Sequence, residues 1–140
     1  MSESRAVVSE EKQGRRASVT MSVSPDFIAQ ARGAWRWAYL NHIVDDSSFT
    51  DWINTAIARN GGEGDDPGVD GQKPVPRMYW IDHENVSRLA ESSRPRSHAF
   101  RAAVAAELAE LTRIAQARGE RIEPWTKRLP NKLYRSPAPQ

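Results

Sequence analysis

The segment SVTMSV, which begins at Ser18, alternates hydroxyl side chains with apolar ones. A two-residue period predicts a β-strand with one polar face. Hydroxyl groups donate and accept hydrogen bonds, and two arginines stand two and three residues before the segment. Small hydrogen-bonding side chains beside arginines suit contacts to the base edges and phosphates of DNA. We therefore predict base contacts from Arg16, Ser18, Thr20 and Ser22, and a phosphate contact from Arg15.

Two helices with clear start signals follow the strand at 16–23. Ser24 begins the first helix, which we expect to end near His42, and Ser48 begins the second, which ends at Asn60 before two glycines. Free backbone N–H groups at a helix N-terminus bind phosphate. The start of the second helix therefore predicts a further phosphate contact, made by Ser48, Phe49 and Thr50.

Composition divides the 140 residues into five segments. The strand and its two helices, at 16–60, form the candidate DNA-binding unit, and the other segments are defined by their charge and turn residues. They are a polar N-terminal arm at 1–15, an acidic Gly/Pro linker at 61–75, a second strand-helix-helix unit at 76–118, and a basic extended tail at 119–140. We expect Ser97 to cap the long helix of the second unit. In the tail, we expect Trp125, Leu129 and Leu133 to act as apolar anchors.

A strand with two helices leaves its edges unpaired and its apolar face uncovered, so it needs a second strand. Superimposing Ser24 on Asp82 also matches Val23 with Ile81, which suggests a diverged repeat. We expect a mainly α fold with a short β-ribbon, built either as an intertwined dimer of two chains or as a tandem pseudo-dimer within one. The second strand, at Met78 to Ile81, is apolar, which favours pairing or burial over DNA contact.

Several classes of protein are excluded or disfavoured. The chain has no cysteine, so disulfides and thiolate metal sites are absent. Its histidines lack metal spacing, and capping explains Asp82-His83-Glu84, so we expect no metal, no cofactor and no enzymatic activity. No stretch is apolar enough to span a membrane, and we expect a cytoplasmic protein. The net charge is only +2, but bases concentrate at both ends, which suits a polyanionic partner.

The segments RRASVTMSVSPDFIAQARGAWRW and SSFTDWINTAIARN, together covering about a third of the chain, resemble the ribbon-helix-helix superfamily. Within it they are most similar to the small centromere-binding ParB proteins of actinobacterial plasmids. The resemblance implies a dimer that binds a plasmid partition site, represses its own operon, and associates with plasmid or nucleoid. It also implies a Walker-type ATPase partner, ParA, stimulated by an arginine of the arm. Arg5, Arg15 and Arg16 are candidates for that arginine, and we expect partner contacts at Arg5 and Lys12.

Other roles fit the same residues. An antitoxin that represses its operon, and a conjugation accessory protein, would use the same fold on DNA. A protein-interaction adaptor without any DNA role would instead act through residues 76–140, with its long helix and basic tail. Such an adaptor would keep full activity without the hydroxyl groups of Ser18, Thr20 and Ser22.

Overall fold

The structure, a computed structural model, describes residues 16–66, 73–128 and 133–138. Within them the order is strand, helix, helix, twice over. The elements are β1 (Arg16–Val23), α1 (Pro25–Leu40), α2 (Phe49–Asn60), β2 (Val75–Asp82), α3 (His83–Ala90) and α4 (Arg96–Ala117). The fold is therefore helical in the main, with one short two-stranded ribbon, as the sequence predicts.

The ribbon forms within a single chain. β1 pairs antiparallel with β2, so that Arg16 lies opposite Asp82, Thr20 opposite Met78, and Val23 opposite Val75. The strand at 16–23 thus has its partner in the apolar run of its own second half. The sequence allows pairing either between two chains or within one chain, and the structure has the pairing within one chain.

Alternation along β1 has the predicted effect on burial. Val19, Met21 and Val23 are buried in the core, whereas Ser18 and Thr20 are exposed. The core is shared between both halves of the chain. Its largest buried side chains are Trp35, Trp52, Phe100, Met21, Ile28, Ile53, Ile57, Ile81 and Leu89.

The helix starts follow local capping chemistry. Ser24 caps α1 by accepting a hydrogen bond from the backbone N–H of Phe27, and Ser48 caps α2 by accepting one from Asp51. Gly61, with φ of 62°, ends α2 as predicted. The expected end of α1 near His42 is two residues late, since Asn41 already caps the helix.

The second half departs from the sequence prediction at its caps. Asp82 occupies the N-cap position of α3, but its carboxylate makes no capping bond and pairs with Arg16 instead. Ser97 does not cap α4, because the helix already begins at Arg96, with Pro95 in the N-cap position. The Ser97 hydroxyl instead accepts a hydrogen bond from the backbone N–H of Ser22, 2.9 Å away.

Equivalent residues of the two halves make equivalent contacts. The Asn54 amide of α2 donates to the carbonyl of Trp80 at 3.0 Å, and the Arg101 guanidinium of α4 donates to the carbonyl of Ser22 at 2.6 Å. Where α2 and α4 cross, Asn60 donates to Glu107 at 3.1 Å. The chain is therefore arranged about an approximate two-fold axis, with one helix bracing each end of the ribbon.

Connecting segments also pack on this frame. Asp66, at the start of the predicted flexible linker, forms a two-bond ion pair with Arg101, and Gly62 is buried beside Ala99. Residues 61–66 are thus held against α4, and not free as the linker prediction implies. Residues 67–72 lie outside the described part of the chain.

The C-terminal tail lies along α1. The backbone N–H of Trp125 donates to the carbonyl of Ala29 at 2.9 Å, and Arg36 stacks over the Trp125 ring at 4.2 Å. Arg135 donates to the carbonyls of Tyr39 and Val44. Trp125 therefore serves as an anchor, as predicted, and Leu133 packs against the core. Leu129 lies outside the described residues.

Candidate nucleic-acid interface

The outward face of the ribbon combines hydroxyl and apolar side chains. Directly opposite residues of an antiparallel pair share a face, so Ser18 stands beside Trp80 and Thr20 beside Met78. Met78 is 63% exposed and Trp80 is 51% exposed. The prediction that β2 pairs is confirmed. The prediction that its apolar side chains are buried holds for Ile81 and is wrong for Met78 and Trp80, since strand alternation turns these two outward.

Arg16 is held by two carboxylates. Its Nε donates to Asp82 at 2.8 Å and its terminal nitrogen donates to Asp51 at 2.7 Å, with the side chain only 16% exposed. Burial by itself lowers the pKa of Arg16, but the hydrogen bonds and charges of Asp82 and Asp51 outweigh it and raise the pKa. Arg16 thus fastens the end of the ribbon to α2, and contact with a base would require both ion pairs to open.

Carboxylates surround the predicted phosphate site at the start of α2. The Ser48 hydroxyl already caps the helix, where it accepts a hydrogen bond from the backbone N–H of Asp51. The Phe49 ring packs against the Trp52 ring, with the centroids 5.7 Å apart. A shallow pocket beside this helix start contains four aspartates and one arginine, namely Asp45, Asp46, Asp51, Asp82 and Arg16. The phosphate contacts of Ser48, Phe49 and Thr50 remain predictions, in surroundings of mainly negative charge.

Basic side chains flank the opposite end of the ribbon. There α4 begins with Arg96, next to the Ser97 hydroxyl that holds Ser22. Lys73 and Arg77, before and within β2, are exposed like Arg96, and the described residues offer none of the three an ion pair. The start of α4 occupies the place in the second half that the start of α2 occupies in the first. The ribbon therefore has an acidic end at Arg16–Asp82 and a basic end at Val23–Val75.

No protein-family model, characterised protein or solved structure matches this chain. The resemblance to ribbon-helix-helix proteins thus rests on the quoted sequence segments alone.

Some of the predicted site residues fall outside the described residues. These are Arg5 and Lys12, the predicted partner contacts, and Arg15, the predicted phosphate contact. Ser22 is half-buried, because α4 holds its backbone N–H and carbonyl. Ser18 and Thr20 are the two predicted base contacts whose side chains stand free on the ribbon.

Among residues 16–66, 73–128 and 133–138, no cluster of histidine and acidic side chains could hold a metal ion. In the same ranges, every helix is too short or too polar to cross a bilayer.

Sequence reasoning missed three residues of this face: Met78 and Trp80 on the ribbon, and Arg96 beside it. The alternation that turns Ser18 and Thr20 outward also applies to β2, so its period could have identified Met78 and Trp80. Aligning the second half of the chain with the first half could have placed Arg96 at the position equivalent to Phe49, at the start of a helix. The apolar composition of β2 instead favoured the prediction that this strand is paired or buried.

Proposed function

We propose that the protein binds double-stranded DNA sequence-specifically by placing the β1–β2 ribbon in the major groove. One observation carries the proposal: Ser18 and Thr20 stand exposed on one face of a paired ribbon whose other face is buried in the core. A two-stranded ribbon has the width of the major groove, and hydroxyl groups bond to base edges of either type.

The order strand-helix-helix in two linked copies supports assignment to the ribbon-helix-helix superfamily. In that assignment one chain supplies both halves of the unit, as a tandem pseudo-dimer. The resemblance also leads us to expect a homodimer or a higher assembly. Such an assembly would form when whole chains associate on adjacent DNA sites, and it is not needed to form the two-stranded unit itself.

Roles in plasmid partition and autorepression follow from the resemblance alone. The antitoxin and conjugation roles share the DNA-binding step, so the neighbouring genes distinguish them. A gene for a ParA-type ATPase next door supports partition, a toxin gene supports the antitoxin role, and a relaxase gene supports conjugation. ATPase stimulation that is lost on replacing Arg5 and Lys12 would support the partner contact expected of the arm.

The first experiment is selection of DNA by the full-length protein from a library of random duplexes, followed by titration in gel shifts. We expect enrichment of a defined site. Ser18→Ala/Thr20→Ala should weaken binding to that site by roughly tenfold or more, because a lost base contact costs about 1–3 kcal/mol. Binding to random duplexes, which depends on phosphate contacts, should persist.

Ser87→Ala/Ser93→Ala is the matched control, because both serines are exposed and lie away from the ribbon. It should bind the selected site as the wild type does. Absence of enrichment at low salt, or unchanged affinity of the Ser18→Ala/Thr20→Ala variant, would overturn the proposal and favour the adaptor role.

A further inference from the structure

The two strands present unlike chemistry at equivalent positions. About the approximate two-fold axis, Thr20 corresponds to Met78 and Ser22 to Trp80, as the matched contacts of Asn54 and Arg101 indicate. A ribbon made from two identical chains would show the same side chains on both strands. Here one strand offers hydroxyl groups and the other offers a thioether and an indole.

Resting on the proposed function, we infer that β2 is a second base-contacting strand and that the target is a non-palindromic duplex, with thymines on the side of the ribbon where Met78 and Trp80 lie. The C5-methyl group of thymine is the apolar feature that the major groove displays. Exposed apolar side chains gain by covering such a group, whereas Ser18 and Thr20, directly across the ribbon, suit hydrogen-bonding base edges on the other side.

Charge favours DNA over a protein or a second copy of the chain as the occupant of this face. Lys73, Arg77 and Arg96 flank the basic end, and none of them is neutralised by a described carboxylate. A polyanion lying along the ribbon would meet these cations at the end beyond Met78, whereas Trp80 lies toward the acidic end. The acidic end, around Asp51 and Asp82, would hold phosphate poorly, so the charge asymmetry also favours one orientation of the duplex.

The decisive test begins with the site selected by the full-length protein. We expect a sequence without two-fold symmetry that contains thymines on one side. Replacing those thymines by deoxyuridine removes only the methyl groups, and it should weaken wild-type binding by roughly fourfold for each methyl contact. Met78→Ala/Trp80→Ala should bind the thymine site more weakly and should lose the sensitivity to deoxyuridine, since the two changes remove the same contact.

Tyr134→Ala is the control variant, because Tyr134 is an exposed aromatic residue outside the ribbon. It should keep both affinity and sensitivity to deoxyuridine. A palindromic site, or equal deoxyuridine sensitivity in wild type and the Met78→Ala/Trp80→Ala variant, would overturn the inference while leaving DNA binding intact. Self-association in sedimentation that this variant abolishes, with DNA affinity unchanged, would overturn it in favour of an interface between copies. Failure to enrich any duplex would overturn the proposed function itself.

Discussion

Arg101 is a buried residue of α4 that contacts both β1 and the segment at 61–66. Its side chain is 5% exposed, donates to the Ser22 carbonyl, and pairs with Asp66 at 2.9 Å. Removing one partner of a fully buried ion pair costs about 3–5 kcal/mol, but Asp66 is 16% exposed and retains His98 at 3.6 Å, which lessens the loss. We expect Arg101→Met to lower the free energy of unfolding by roughly 2–4 kcal/mol, measured by urea denaturation.

Arg113 provides the comparison on the same helix. It pairs with Glu110, but both side chains are exposed, and water already solvates them. Arg113→Met should leave the urea midpoint unchanged within error. Equal losses in the two variants would show that the buried bonds of Arg101 stabilise the protein no more than the exposed ion pair of Arg113 does.

Tyr79 is a buried phenol whose hydroxyl has no hydrogen-bond partner among the described residues. Burial raises the pKa of Tyr79 to about 12, although the charges of Arg77 and Arg32 act to lower it. An unfolded chain loses this proton near pH 10. Between pH 10 and 12 the unfolded state therefore binds fewer protons, so the free energy of unfolding falls as pH rises.

Tyr79→Phe should remove this alkaline loss. At pH 7 we expect the variant to be as stable as wild type or more stable by about 1 kcal/mol, because an unpaired buried hydroxyl is gone. At pH 11 the free energy of unfolding of the variant should exceed that of wild type by about 1.4 kcal/mol more than it does at pH 7, which is the equivalent of one pKa unit. Urea denaturation of both proteins at the two pH values measures this, and a constant difference would contradict it.

At the scale of elements, Gly33 is where the tail meets α1. A Cβ at this position would lie 2.0 Å from the carbonyl oxygen of Glu123, which is a backbone atom. Alanine favours a helix over glycine by about 1 kcal/mol, but it cannot fit while the tail stays in place. Glycine at position 33 therefore permits the close contact between α1 and the tail.

Gly33→Ala should release the tail from α1. We expect faster trypsin cleavage after the exposed Arg121, Lys127 and Arg128, with α1 itself intact by circular dichroism. Gly64→Ala is the control, since its new Cβ would meet nothing closer than 3.8 Å. Unchanged cleavage in Gly33→Ala would mean that the tail does not depend on this contact.

Local signals predicted the elements of the first half well. Alternation placed β1, and the caps at Ser24 and Ser48 placed the starts of α1 and α2, because such signals depend on neighbours in sequence. Contacts between distant residues were not predictable in this way. The pairing of Arg16 with Asp51 and Asp82, which changes the surroundings of an expected base contact, depends on how the two halves meet.

At the scale of the whole molecule, strand pairing within one chain makes folding unimolecular. The thermal midpoint should therefore stay constant over a hundredfold range of protein concentration. If the ribbon required two chains, the same range would change the apparent stability by roughly 2.7 kcal/mol, as mass action demands. Calorimetry at both concentrations measures the midpoint, and a rise with concentration would contradict pairing within the chain.

The ribbon carries each of its side chains once. In a dimer of identical chains every substitution enters the contact surface twice, so a change that costs about 1–3 kcal/mol per base contact costs double. In this chain a mutation in β1 alters one half of the surface and leaves β2 as it was. Under the proposed function, the two strands can therefore diverge separately during evolution, and a new DNA target preference can be acquired through smaller, individually tolerable losses.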